Sequence, residues 1–287
     1  MTLLNKFTGL VAGIAASAAA GMAFAQAAPD GLDVIGAPES GAVSLQPAAS
    51  SLARELHFLD SMLLYIIGAI VLFVLALLIW VVLRHNARVN PTPANFSHNT
   101  PVEITWTLVP LAILVFIGAF SLPVLYNQQE IPEADVVIKA TGFQWYWGYE
   151  YPDEDIEFMS FMLDRDQLDE YGYSQDEYRL ATDTAVVVPV GKTVVMTVTG
   201  SDVIHSWTIP AFGVKQDAVP GRLAHLWFKA EKEGVYFGQC SELCGQSHAY
   251  MPITVKVVSE AAYLEWLDGA IEEYAGTPRA QQVALAE

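Results

Sequence analysis

The chain has 287 residues, room for one or two domains. Apolar residues make up 53% of it, yet its formal net charge is -18, and 26 acids against 10 bases fall between Asn127 and Glu287. This acidity argues against a nucleic-acid partner, which needs a basic surface, and the separation of grease from charge points to a membrane anchor carrying an acidic, water-facing domain.

The chain starts like an export signal. Lys6 supplies a positive start, Gly9 to Met22 is an Ala-rich apolar run, and Ala23-Phe24-Ala25 fits a small-x-small cleavage site before Gln26. A signal peptide is expected over 1–25, with a short first membrane helix as the alternative. Residues 26–60 then form an outer N-terminal segment, and its Pro-, Gly- and Ser-rich part, Ala27 to Ser51, reads as irregular.

A transmembrane hairpin is expected over 61–126. Met62 to Leu83 and Ile104 to Tyr126 carry no formal charge, and each exceeds the roughly 20 residues that a helix needs to cross a bilayer. Pro110 and Pro123 are expected to bend the second span. The connector between the spans holds Arg84 and Arg88, whereas Glu130, Glu133 and Asp135 precede the first base, Lys139, after the second. The positive-inside rule makes the connector cytoplasmic and places the mature N-terminus and everything after Tyr126 outside. Neither span has an ionisable residue in its middle, so the hairpin reads as an anchor that also packs on a larger membrane partner.

From Val136 the pattern changes to short β segments. They are Val136–Ala140, Gln144–Tyr149, Ala185–Val190, Thr193–Thr199, Ser206–Ile209, Leu223–Lys229, Val235–Gly238 and Ile253–Val258, rich in Val, Thr, Ile and aromatics. Many short strands imply a sandwich or barrel over 127–274. Twelve acids against Arg165 and Arg179 mark an insertion at 150–183, by composition a solvated face that could also attract a basic partner. Ser259 can cap a last helix through Tyr274, and 275–287 reads as a loose tail.

The only two cysteines lie in Cys240-Ser-Glu-Leu-Cys-Gly-Gln-Ser-His-Ala-Tyr-Met251, between two expected strands. Thiolate and thioether donors favour Cu(I) or zinc, imidazole suits both, and methionine is a common weak axial ligand of copper. Cys240, Cys244, His248 and Met251 therefore point to copper more than zinc. A further histidine is expected from an earlier strand: His205 is the candidate, while His225 alternates with apolar neighbours and reads as structural. His57, His85 and His98 flank the spans and read as interfacial. A Cys240–Cys244 disulfide, a structural zinc and Met251 as plain core stand beside the copper reading. Two thiolates are one more than a mononuclear blue-copper site uses, and sharing them between two ions would employ every donor.

The run CSELCGQSHAYMP closely resembles the dinuclear copper (CuA) signature of cytochrome c oxidase subunit II. The resemblance extends to His205-Ser-Trp207, Pro210, Gly213, Lys215, Asp217 and Pro220-Gly-Arg222, to the stretch Gly142 to Tyr151, and to His98 to Trp106. It covers nearly the whole chain after the signal and looks like an alpha-proteobacterial form. It implies an α+β membrane protein, a two-helix hairpin followed by a cupredoxin-like β-sandwich or barrel, in a proton-pumping oxidase of a bacterial inner membrane. By the same resemblance Cys240 and Cys244 bridge two coppers, and His205 and His248 each bind one. Met251 is the weak axial ligand to one copper and the Glu242 carbonyl serves the other, while the Glu242 carboxylate faces a magnesium shared with subunit I. Trp145 takes up electrons from cytochrome c, Glu150 and Asp202 are docking acids, and Glu103 stands at the entrance of a proton pathway into subunit I. Heme and oxygen reduction belong to subunit I. On a strand, Trp145, Trp147 and Tyr149 would share one face.

Overall fold

A computed structural model of the chain describes residues 31–92 and 94–275. The expected signal peptide and residues 276–287 lie outside them.

Two long helices come first, α1 (Ser51–Arg84) and α2 (Thr100–Gln129). The Ser50 hydroxyl caps α1 by accepting from the Ala53 N–H at 3.0 Å, and the Asn99 side chain caps α2 by accepting from Val102 at 3.3 Å. Pro101 sits in the first turn of α2, where a missing N–H costs nothing. α2 passes Pro110 and Pro123 as one assigned helix. The most apolar 18-residue windows of α1 and α2 are 0% and 6% buried, so almost none of their greasy surface is satisfied within the chain. Surface of that kind and length needs a bilayer or a membrane partner. The two helices meet through Phe58 and Phe120, whose ring centroids lie 6.2 Å apart, and through the Asn127 amide, which donates to Glu55 at 3.2 Å.

The rest is a β-sandwich with one final helix. The strands are β1 (Val34–Gly36), β2 (Val136–Phe143), β3 (Tyr146–Tyr151), β4 (Ile156–Ser160), β5 (Val186–Pro189), β6 (Thr193–Gly200), β7 (His205–Ile209), β8 (Val214–Ala218), β9 (Ala224–Lys229), β10 (Gly234–Gln239) and β11 (Pro252–Val258). They form a four-stranded sheet in the order β1-β10-β11-β5, a five-stranded sheet β4-β3-β2-β6-β9 and the pair β7-β8. β2 alternates buried and half-buried side chains throughout, as a strand with one face on a core must. Trp147, Trp207, Phe212, Phe228 and Tyr236 fill the space between the layers. The helix α3 (Glu260–Ala270), capped by Ser259, closes one end and passes into a wider turn over Ile271–Ala275.

The structure departs from the sequence reading at four places. Trp145 is not on a strand: it sits in the turn between β2 and β3, so it shares no face with Trp147 and Tyr149, which are fully buried. The segment 26–60 contains the short strand β1, which adds to the sheet edge beside β10. The acidic segment 150–183 takes in the end of β3 and the whole of β4, whose burial alternates among its acids. β8, with the polar middle Lys215-Gln216-Asp217, pairs with β7 in unbroken antiparallel register.

The hairpin is bolted to the sandwich. Ala49 donates its N–H to Ala211 O at 2.8 Å and accepts from Glu231 N–H at 2.9 Å. The Ser50 hydroxyl donates to Phe212 O at 2.7 Å, and Arg54 pairs with Glu231. The Trp227 indole N–H donates to Asn127 O at 3.1 Å, tying α2 in as well. Gly213 adopts φ +68°, and a Cβ there would lie 2.7 Å from Ala53 Cα, so only glycine lets the sandwich approach α1 this closely.

Candidate metal centre

Strand pairing brings the chemistry-bearing residues together. β10 and β11 pair from Gly234↔Val257 to Gln239↔Pro252, which sets Cys240 and Met251 side by side at the mouth of the loop between them. Ser241 N–H donates to Ser206 O at 3.0 Å, stitching that loop to the start of β7, where His205 stands. A short helical turn over His248–Tyr250 turns the chain back toward β11.

The resulting donor set has two lobes. Cys240 Sγ and Cys244 Sγ lie 3.9 Å apart, too far for a bond of about 2.05 Å, and both are free thiols. Around Cys240 stand His205 Nδ1 at 3.8 Å and the Glu242 carbonyl at 3.3 Å. Around Cys244 stand His248 Nδ1 at 3.5 Å and Met251 Sδ at 3.5 Å. His205, Cys240 and Cys244 place ligand atoms within 4.8 Å of one another, and all three are buried with Met251. A disulfide would leave the other four donors without purpose. A single tetrahedral zinc has no use for a thioether and a carbonyl. Two soft thiolates flanked on each side by one imidazole and one weak donor suit copper.

Asp202 holds the centre from outside. Its Oδ1 lies 2.9 Å from His205 Nε2, and its Oδ2 accepts from the Gln144 N–H at 2.8 Å. This fixes a proton on Nε2 and leaves Nδ1 aimed at the sulfurs, the arrangement that carboxylates impose on metal-binding imidazoles. Gln144 and Trp145 also reach over the loop, their side-chain N–H groups donating to the Cys244 carbonyl at 2.9 and 3.3 Å. Trp147 lies beneath, edge-on to the His205 ring at 6.0 Å. A Cβ on Gly142 would come within 2.8 Å of His205 Cγ, so β2 can lie under the imidazole only as glycine.

Without metal, the site keeps one negative charge readily and a second with difficulty. Burial opposes ionisation of Cys240, but the His205 bond, the backbone N–H groups of Ser206 and Glu242, and His248 bring its thiol down to about 7. Burial and the neighbouring Cys240 charge push Cys244 up. His205 is raised: burial disfavours its charged form, but Cys240 and Asp202 more than offset that. Asp202 is lowered, its partial burial outweighed by the bonds from His205, Val203 and Gln144.

Other expected residues fall elsewhere. Glu150 is paired with Lys139 Nζ at 2.6 Å across β2 and β3. Glu103 lies at the far end of the hairpin, where its carboxylate accepts from the Asn99 N–H at 3.1 Å and completes the cap of α2. The Glu242 carboxylate side is exposed while its carbonyl faces Cys240. His225 is exposed on β9, 3.2 Å from the Thr197 hydroxyl, away from the donors. Sequence reasoning missed the support given by Gln144 and the grip of Asp202 on His205; the three-residue spacing from Asp202 to His205 was the available signal.

Comparisons with known proteins identify the family. Residues 136–258 match the family described as cytochrome C oxidase subunit II, periplasmic domain, and residues 38–124 match its transmembrane domain. The chain is 60% identical over 283 residues to cytochrome c oxidase subunit 2 of Cereibacter sphaeroides, covering 94% of this chain and 91% of that one. It is 48% identical over 227 residues to a probable cytochrome c oxidase subunit 2 of Rickettsia bellii, covering 78% and 82%. Among solved structures, the periplasmic domain of subunit II of cytochrome oxidase from Bradyrhizobium japonicum is similar at 48% identity and TM-score 0.45, over 50% of this chain and 99% of that chain. With matches to both halves of the family and a His/Cys/Cys/Met cluster of CuA type between β7, β10 and β11, the chain belongs to the cytochrome c oxidase subunit II family and is a membrane-anchored subunit of that oxidase.

Proposed function

We propose that this chain is the electron-accepting subunit of a proton-pumping oxidase in a bacterial inner membrane, holding two copper ions outside the bilayer. Cys240 and Cys244 would bridge them, His205 and His248 would each bind one copper, and Met251 and the Glu242 carbonyl would supply the weak donors, one to each. The observation that carries this reading is the two-lobed donor set around two free, buried thiols 3.9 Å apart. A copper pair sharing two sulfurs supplies a one-electron store with little rearrangement between its charge states.

The protein's own part is positional. The sheet pair clamps both ends of the loop, Asp202 orients His205, and the buried Trp147 keeps water from beneath. Trp145 is half exposed and bonded to the Cys244 carbonyl, which suits it to receive electrons from cytochrome c on the outer surface. The acidic surface, Asp202 included, draws in that basic donor, affecting the rate of encounter more than the affinity. Glu150 serves as a weaker docking acid, its charge shared with Lys139. Electrons pass on to heme in subunit I, where oxygen is reduced, and other oxidase subunits cover the remaining faces of α1 and α2. The Glu242 carboxylate supports a magnesium shared with subunit I. Glu103, at the cytoplasmic end of α2, opens a proton path into subunit I. Residues 1–25 act as the export signal, putting the mature N-terminus and the sandwich on the periplasmic side.

Copper analysis of the purified oxidase, combined with oxidation of reduced cytochrome c, tests the reading. Two coppers on this subunit and their loss together with turnover in Cys240→Ser are expected. A Cys240→Ser oxidase with unchanged copper and turnover contradicts it.

A further inference from the structure

The acid-rich segment joining β4 to β5 does more than face water. Leu163, Leu168, Tyr173 and Ala181 are buried and form a second apolar cluster against Val235 and Phe237 of β10. The segment is closed on itself: Leu163 N–H donates to Ala181 O at 3.1 Å and Asp183 N–H to Phe161 O at 3.0 Å. It is a strap lying across the outer sheet.

The strap touches the metal-binding loop at both of its ends through one residue. Gln239, immediately before Cys240, donates its side-chain N–H to Arg179 O at 2.9 Å. At the other end Tyr250, between His248 and Met251, has the Arg179 guanidinium carbon 5.7 Å from its ring centre. Buried Thr254 on β11 donates to the neighbouring Leu180 O at 3.3 Å, pinning the strap beside that contact. Arg179 holds φ +71°, a left-handed backbone that a non-glycine residue adopts only when its surroundings fix it. Arg165 stands over the Tyr178 ring at 3.9 Å. In a segment holding twelve acids, neither Arg165 nor Arg179 has a carboxylate within 4.0 Å among the described residues.

We propose that Arg179 is a positioning residue of the copper centre: the strap carries it to the loop so that it braces the His248–Met251 turn through Tyr250 and brings an exposed positive charge to the loop that would hold the metals. Reduction adds negative charge to the centre, so a nearby cation favours the reduced form. The side chain is exposed, which makes this contribution sensitive to salt. The proposal rests on the copper reading above, and it makes the acid-rich insertion part of the redox centre's support.

Three variants of the whole oxidase test it: Arg179→Gln, Arg179→Lys and Arg165→Gln. The copper reduction potential is measured at low and high ionic strength, and amide exchange across 248–251 is measured in the metal-free full-length chain. Arg179→Gln should lower the potential, by less at high salt, and speed exchange in the turn. Arg179→Lys should keep the potential near wild type but speed exchange, because an ammonium keeps the charge and loses the planar guanidinium that lies 5.5 Å from the Tyr178 ring centre and 5.7 Å from that of Tyr250. Arg165→Gln, which removes a guanidinium from Tyr178 alone, should change neither. Wild-type potential and exchange in Arg179→Gln, or equal shifts in Arg165→Gln, overturn the proposal. A wild-type oxidase with no copper potential to read removes the underlying reading of the site, and exchange in the metal-free chain separates that failure from a failed brace.

Discussion

Asp202 shows how much of the centre lies outside its ligands. Its carboxylate bonds to His205 Nε2 and to the Gln144 N–H at once. Asp202→Asn keeps the shape but offers no carboxylate to the ring, so copper retention against a chelator should weaken by about 10- to 100-fold while the fold persists; thermal unfolding and copper loss, followed on one sample, would separate the two effects. Protons compete with the metal at the same atoms. Cys240 ionises near 7, whereas Cys244 and His205 hold their protons above their ordinary values. Loading must expel those protons, so copper uptake should strengthen as pH rises from 6 to 8 and fail toward acid, which a chelator-buffered titration at several pH values would show. The gathering of the donor side chains was legible because two thiols, an imidazole and a thioether crowded between Cys240 and Met251 suit a soft metal and little else. The grip of Asp202 on His205 was not, since the three-residue spacing was the only signal and does not show that the ring turns toward the acid.

Among the elements, those with β-branched runs were readable and those defined by a partner were not. β5, β6 and β11 announce themselves by valines. β4 alternates inward Ile156, Phe158 and Ser160 with outward Glu157 and Met159, but the surrounding acids masked that period. β8 is extended because β7 pairs with it, not because Lys215-Gln216-Asp217 prefers a strand. The seat of the hairpin was equally hidden, as it depends on a missing side chain. Gly213→Ala should cost about 1–3 kcal/mol through crowding against Ala53 and its left-handed backbone. Glu231→Gln, which breaks only an exposed, solvent-screened ion pair with Arg54, should cost much less. Denaturant unfolding of the detergent-solubilised chain would rank the two, and a larger loss from Glu231→Gln would contradict this view of the seat.

Over the whole molecule, the charge map and the greasy helices divide the labour. α1 and α2 carry apolar surface that only lipid or other membrane subunits can cover, while the sandwich bears most of the net charge of -18. An acidic surface speeds association with a basic donor, and the screening length shrinks to about 10 Å at 0.1 M salt. Oxidation of reduced cytochrome c should therefore slow as ionic strength rises, with KM increasing more than kcat changes; a salt-independent KM would remove the electrostatic part of docking. The central claim concerns the metals themselves, and electron paramagnetic resonance of the oxidised, copper-loaded oxidase addresses it most directly. One unpaired electron shared across the bridging sulfurs spreads its hyperfine pattern over two copper nuclei. A signal whose splitting comes from a single copper, or a subunit that takes up only zinc, would contradict the account.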